Sequence, residues 1–121
     1  MSALKKPQAE WLLSKLGTAK GAPRSRIWIE GPRLTRAGFN PGDKFHVDQT
    51  EAKGSLILRR FSVESVGVPV RKVSGKGSKP IIDITGAQVR DVFPHFTHVV
   101  CEFTPNYIEI RGAADFSGEG A

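Results

Sequence analysis

A pattern of strand, short helix, strand, turn and strand occurs twice in this 121-residue chain. The first copy covers residues 27–60 and the second covers residues 79–113, and the identity between them is weak. Three pairs of apolar positions align the copies at nearly constant offsets of 55, 54 and 52 residues: Leu34 with Val89, Phe45 with Val99, and Leu58 with Ile110. A unit of roughly 35 residues is too small to bury a core alone. The repeat therefore predicts two β-α-β-β units that pack on each other as a pseudo-dimer within one mainly β domain.

Local signals support both short helices. Pro32 suits a first helical turn, and Gly38 suits a left-handed residue just after a helix end. In the second copy, Thr85 and Gln88 fit a capping box, and Pro94 ends the helix.

The segments outside the two copies are assigned by composition. Residues 1–26 are predicted to hold a short amphipathic helix at 8–17, with Trp11, Leu12, Leu13 and Leu16 on one face, followed by a small, basic linker at 19–25. Residues 61–78 form a connector, with apolar positions that suggest further strand and a flexible basic loop at 74–79. Residues 114–121 are predicted to be a disordered tail.

Composition indicates the cellular compartment in which the protein is expected to fold and act. Hydrophobic residues make up 39% of the chain, no stretch approaches a membrane span, and the first residues lack the apolar core of a secretory signal. The lone cysteine excludes an internal disulfide. We expect a folded, soluble, cytoplasmic protein.

Charge is unevenly distributed. The net charge is +6, yet residues 79–121 hold three basic residues against six acidic ones. The positive charge therefore belongs to the first two-thirds of the chain, which predicts that a polyanion binds there. A solvated surface that happens to be basic is the alternative.

The segment from Arg33 to Val47, RLTRAGFNPGDKFHV, resembles the signature of AbrB-type swapped-hairpin domains, in which a short helix leads through a glycine corner to a Gly-Asp turn and a strand. The flanking strands at 27–31 and 56–58 bring it closest to the SymE-like branch of that superfamily. In the second copy only the order of elements persists, because no Gly-Asp turn follows Phe93.

The resemblance implies a small intertwined β-barrel that binds nucleic acid through one face. AbrB-type proteins are DNA-binding antitoxins and transition regulators, whereas SymE-like proteins are described as toxins acting on RNA or the nucleoid. The resemblance favours DNA over RNA as the partner. It also favours a regulator or accessory factor from a bacterium or mobile element. Such a protein would act as a pseudo-dimeric monomer or as a homodimer.

Basic residues in and after the first copy are the candidates for phosphate contact. They are Arg33, Arg36, Lys44, Arg59, Arg60, Arg71, Lys72 and Lys76. Trp28 is interpreted as core or, alternatively, as an exposed stacking platform.

Catalytic and metal sites are not predicted. His98 and Cys101 should face opposite sides of one strand, and four zinc ligands cannot be assembled. Cys101 is expected to be a small buried residue. His46 is the one residue considered as a general base for RNA cleavage, and spacing identifies no partner for it. We expect no cofactor and no enzyme activity.

Two rival functions remain open. One is an RNA-directed toxin of the SymE kind. The other is a protein-interaction module, in which the acidic second repeat docks a basic partner.

Overall fold

The computed structural model describes residues 10–49, 54–60, 70–77 and 79–113. The described chain is mainly β, with two short helices. Its first elements are β1 (Glu10–Lys15), β2 (Gly17–Ala19), β3 (Ala22–Glu30), α1 (Pro32–Arg36), β4 (Lys44–Gln49) and β5 (Ser55–Arg60). Those that follow are β6 (Arg71–Lys72), β7 (Ser74–Lys76), β8 (Lys79–Thr85), α2 (Ala87–Val92), β9 (His98–Thr104) and β10 (Tyr107–Gly112). Across the described ranges, no helix is long and apolar enough to cross a membrane.

The strands form two antiparallel sheets. The larger has the order β1-β9-β10-β5-β4-β6, and the smaller has the order β2-β3-β8-β7. In the part of the chain that the structure describes, the strands do not close into one ring, so the closed barrel predicted from the sequence is not observed.

The repeat extends further than the sequence indicated. The order β-α-β-β occurs twice as predicted, and each copy is also preceded by two short strands, β1–β2 and β6–β7. The helices begin alike, since Gly31 (φ 107°, ψ −172°) and Gly86 (φ 115°, ψ −172°) share a conformation that is essentially restricted to glycine. Leu34 and Val89 donate equivalent hydrogen bonds of 3.1 Å to these glycine carbonyls, so the offset of 55 is structurally correct.

The two copies interlock around a pseudo-twofold axis. In the smaller sheet β3 pairs with β8, and Trp28 lies opposite Asp83, its counterpart at an offset of 55. In the larger sheet β5 pairs with β10, and Ile57 lies opposite Glu109, its counterpart at an offset of 52. A residue that pairs with its own equivalent lies on the symmetry axis, so the axis passes through both pairs. The outer strands also cross over, because β1 pairs with β9 and β6 with β4.

The core lies between the two sheets. The smaller sheet contributes Ile27, Ile29, Ile82 and Ile84, and the larger contributes Leu56, Leu58, Ile108 and Ile110, each at most 1% exposed. Burying an isoleucine or leucine side chain stabilises a fold by roughly 1.5–3 kcal/mol. Because both copies supply these residues equally, neither copy has a core without the other.

The predicted N-terminal helix is wrong, since residues 10–15 and 17–19 are strands. Burial alternates along β1, so Leu12 packs against the core while Trp11 and Leu13 are exposed. A helix this short is marginal alone, and pairing with β9 satisfies its backbone groups instead. The predicted linker is the β2–β3 hairpin, which turns at Lys20 (φ 52°) and Gly21 (φ 79°).

The predicted flexible loop at 74–79 is also wrong in its described part, because β7 pairs with β8 there. Gly75 has φ 106°, and a Cβ at this position would approach the Lys79 carbonyl oxygen to 2.0 Å, so glycine is required for the pairing. The further strand expected at 61–69 and the disordered tail expected at 114–121 lie outside the described residues.

Candidate nucleic-acid interface

Two of the predicted phosphate ligands, Arg33 and Arg36, contact β1 from α1. The Arg36 guanidinium donates two hydrogen bonds of 2.7 Å to the Glu10 carboxylate, and Arg33 Nε donates to the Trp11 carbonyl oxygen at 3.1 Å. The hydrogen bond from Arg36 lowers the pKa of Glu10, although desolvation acts in the opposite direction. These contacts compete with any phosphate for the two side chains.

Arg59 and Arg60 are engaged in the same way. Arg59 Nε lies 3.3 Å from the Asp48 carboxylate, and its guanidinium stacks over the Tyr107 ring at 5.1 Å. Arg60 donates to Asp43 at 3.2 Å and to the Asn106 side-chain oxygen at 3.1 Å. These four of the eight candidates therefore have bonding partners on this chain.

Three of the other candidates, Lys44, Lys72 and Lys76, lie at one edge together with Lys79. In the larger sheet Lys44 lies directly opposite Lys72, and in the smaller sheet Lys76 lies directly opposite Lys79. All four side chains are exposed. Like charges placed directly opposite each other destabilise a sheet. We call these four lysines the basic edge.

One continuous segment builds the basic edge. The chain leaves the larger sheet after β6, passes through the buried Val73, and enters the smaller sheet as β7. Val73 is fixed by two backbone hydrogen bonds of 2.8 Å, donated to Asp43 and accepted from Gly42. The basic edge therefore runs across the ends of both sheets.

Arg71 belongs to the same segment but faces the other way. It lies opposite Phe45, whose ring is buried, and its guanidinium donates to Gln88 at 3.4 Å. It is a structural contact to α2 more than a member of the basic edge.

Trp28 is on the surface, so its interpretation as core is wrong. It is 40% exposed on the outer face of the smaller sheet, and its Nε1 donates to Glu30 at 2.9 Å. Arg26 covers the ring at 4.7 Å and makes a bidentate ion pair with Asp83 at 2.9 and 2.8 Å. The exposed part of the indole is the portion available for stacking.

The residues weighed for metal or acid–base chemistry do not converge. Cys101 is fully buried, and desolvation raises the pKa of its thiol to about 12, while His98 lies on the opposite face of β9. Among the described residues, no three His, Cys, Asp or Glu side chains could hold a metal ion together. His46 is only 9% exposed.

Sequence reasoning missed four cations: Lys79 at the basic edge, and Lys20, Arg24 and Arg90 beside two adjoining hollows near α2. For Lys79 a signal existed, because the sequence Gly-Ser at positions 77–78 is typical of a two-residue hairpin connection, which predicts that Lys76 lies opposite Lys79. For the other three, the contact between the β2–β3 turn and α2 is non-local and leaves no sequence signal.

Comparison of the chain with protein-family models, with curated proteins and with solved structures found no match.

Proposed function

We propose that this protein is a non-enzymatic nucleic-acid-binding protein, with DNA favoured over RNA, acting as a regulator or accessory factor of the AbrB/SymE type. The observation that carries the proposal is the basic edge. Two directly opposed lysine pairs concentrate positive charge at one edge, and this charge would attract a polyanion.

The finer fold is part of this proposal. The interlocked β-α-β-β units, with β1 and β6 each pairing into the other copy, agree with a swapped-hairpin arrangement of AbrB type fused into one chain. In this view a cytoplasmic monomer already contains what a dimer of separate units would supply.

The two copies differ in a way that favours binding through one side. The structural counterparts of Lys72, Lys44 and Lys76 are Lys15, His98 and Ala19. The edge formed by β1 and β2 therefore lacks the paired lysines. Of these two equivalent edges, the basic edge therefore attracts a strand of phosphates more strongly.

Lysine ammonium groups contact phosphates without reading bases. The basic edge therefore supports sequence-independent affinity with a strong salt dependence. Lysines at a sheet edge also prevent strands of neighbouring molecules from pairing, so the experiment has to separate binding from aggregation.

The acidic second repeat gives less support to a basic protein partner. Glu102 and Glu109 both accept hydrogen bonds of 3.2 Å from Arg111, which neutralises part of their charge.

The test is a titration of duplex DNA, single-stranded DNA and RNA over a range of salt concentrations. The variant Lys72→Gln/Lys76→Gln/Lys79→Gln should bind duplex DNA at least about tenfold more weakly at low salt. Each lost phosphate contact should flatten the logarithmic salt slope by about 0.9. Surface changes of this kind usually alter stability by less than about 0.5 kcal/mol, so the variant should stay folded.

The matched control is Lys15→Gln compared with Lys72→Gln, since these residues occupy equivalent positions in the two copies. Only the change at Lys72 should weaken binding. Aggregation of the triple variant with unchanged affinity would assign the lysines to edge protection and refute the proposal. RNA cleavage by the wild type would favour the toxin, and absence of nucleic-acid binding at physiological salt would favour a protein partner.

A further inference from the structure

A cleft of about 380 Å³ lies between the β2–β3 hairpin and α2. It is lined by Pro23, Arg24, Arg90, Asp91, Phe93 and Pro94. A second hollow of about 230 Å³ includes Lys20, Ser25 and Gly86, and Arg90 lines both spaces. Three cations thus surround a concave region that holds a single acid, Asp91, among its lining residues.

These three cations have no bonding partners in the described part of the chain. Arg24, Arg90 and Lys20 make neither a hydrogen bond nor an ion pair there, whereas the arginines outside the cleft donate to groups of the chain. Positive groups held close together without counter-charges favour an anionic ligand.

A departure from the pseudo-symmetry builds the cleft. In the first copy Gly17 pairs with Arg26 and Ala19 with Ala22, so the three residues Pro23–Ser25 bulge out opposite Thr18. In the second copy the equivalent β7–β8 register is regular. Arg24 sits at the middle of the bulge with φ 58°, a conformation that is uncommon for residues other than glycine. Bulges often re-aim a side chain at a functional site.

The Ser25 side chain holds the bulge in place. The Ser25 hydroxyl is buried, donates to the Ala22 carbonyl oxygen at 2.6 Å and accepts from the Ala19 amide at 3.1 Å. The cleft wall is therefore formed before any ligand arrives, which lowers the entropic cost of binding.

The geometry points to a nucleotide-binding cleft, in which Arg24 and Arg90 bind a phosphate group and the nucleoside lies against Pro23 and Pro94. The volume falls within the range of small-molecule sites, and guanidinium groups suit the oxygens of a phosphate. Asp91 provides an acceptor for a ribose hydroxyl or a base amino group. This inference rests on the proposed function if the phosphate belongs to a nucleic-acid strand, and stands alone if the nucleotide is free.

The experiment titrates the full chain with deoxyadenosine monophosphate, inorganic phosphate and deoxyadenosine by calorimetry. We expect the monophosphate to bind most tightly, phosphate more weakly and the nucleoside least. Arg90→Gln and Arg24→Gly should each weaken monophosphate binding at least about tenfold. Arg24→Gly suits the positive φ, so its loss of binding would not reflect misfolding. The control Arg111→Gln removes the same charge from β10 and should change affinity less than about twofold.

Competition identifies the source of the phosphate. If the monophosphate displaces a short single-stranded oligonucleotide, the cleft binds a strand. If the two bind together, the cleft binds a free nucleotide. Wild-type protein that binds neither the monophosphate nor phosphate overturns the inference, as does binding that survives both Arg24→Gly and Arg90→Gln. Monophosphate binding without any affinity for nucleic acid would retain the cleft and refute the proposed function.

Discussion

Arginines and lysines play different roles on this surface. Among the described residues, five arginines make ion pairs with carboxylates: Arg26, Arg36, Arg59, Arg60 and Arg111. Lys72, Lys76 and Lys79 make none within the described residues. The planar guanidinium matches a carboxylate with two hydrogen bonds, whereas a lysine ammonium is a flexible, strongly hydrated charge. Arginine content alone therefore overstates the charge available to a ligand.

Cys101 gives a prediction at the scale of one residue. Burial raises the pKa of its thiol to about 12, while the unfolded thiol titrates near 9.0. The unfolded state thus loses the proton first, so stability should fall as pH rises from 9.0 towards 12. Urea unfolding of wild type and Cys101→Ala across this range measures the effect. The free energy of unfolding should fall more steeply with pH in the wild type. At pH 9.0 the variant should already be less stable, because removal of the sulfur atom leaves a cavity. Equal slopes would contradict the assignment.

At the scale of elements, β1 is held by side chains of α1 as well as by its pairing within the sheet. It pairs with β9 of the second copy, and Glu10 and Trp11 bond to arginines of α1 in the first copy. The two arginines that the sequence assigned to phosphate binding therefore fasten an edge strand.

We expect Arg36→Gln to increase hydrogen exchange at the amides of β1 while leaving nucleic-acid affinity almost unchanged. The pKa of Glu10 is lowered in the folded protein from its ordinary value of 4.5, so its contribution to stability is present above that value and is lost as pH falls below it. Acidification should therefore loosen β1 in the wild type but add little in the variant. Arg60→Gln, which breaks an ion pair with Asp43, is the control and should leave β1 protected. A large loss of affinity in Arg36→Gln would return this residue to the nucleic-acid interface.

At the scale of the whole molecule, each copy depends on the other for its strand pairing and its core. Both central strand pairings, β3 with β8 and β5 with β10, join one copy to the other. The outer pairings of β1 and β6 cross over as well. A single copy would leave these edges and half of the core exposed.

Two fragments test this interdependence. Residues 1–60 alone should be unfolded or form a homodimer, because a second copy of β3 and β5 is then the available partner. Mixed with residues 61–121, they should form a folded 1:1 complex with a circular dichroism spectrum like that of the full chain. Analytical ultracentrifugation gives the stoichiometry, and the intact chain is the control. A stable folded monomer of residues 1–60 would show that the copies are independent.

Within residues 27–60 and 79–113, local patterns determined the order of elements and the alignment of the two copies. Period-two alternation placed Val99, Cys101 and Phe103 inward on β9. Pro32 and Gly38 (φ 91°) frame α1 as predicted, because proline restricts φ to a helical value and glycine permits a positive φ at the helix end. The capping box at Thr85 is wrong, since Gly86 is the N-cap and no side chain bonds there.

The tertiary structure alone decided the secondary structure of residues 10–19 and the partners of the charged groups. A short apolar segment can be helix or strand, and the free edge of β9 selected strand for β1. The basic edge depends on the register of β6 with β4 and of β7 with β8, and the cleft depends on a bulge that brings Arg24 beside Arg90. These features arise from pairings between residues far apart in the chain, whose energies are set by packing and hydrogen bonding in the assembled fold and not by local sequence.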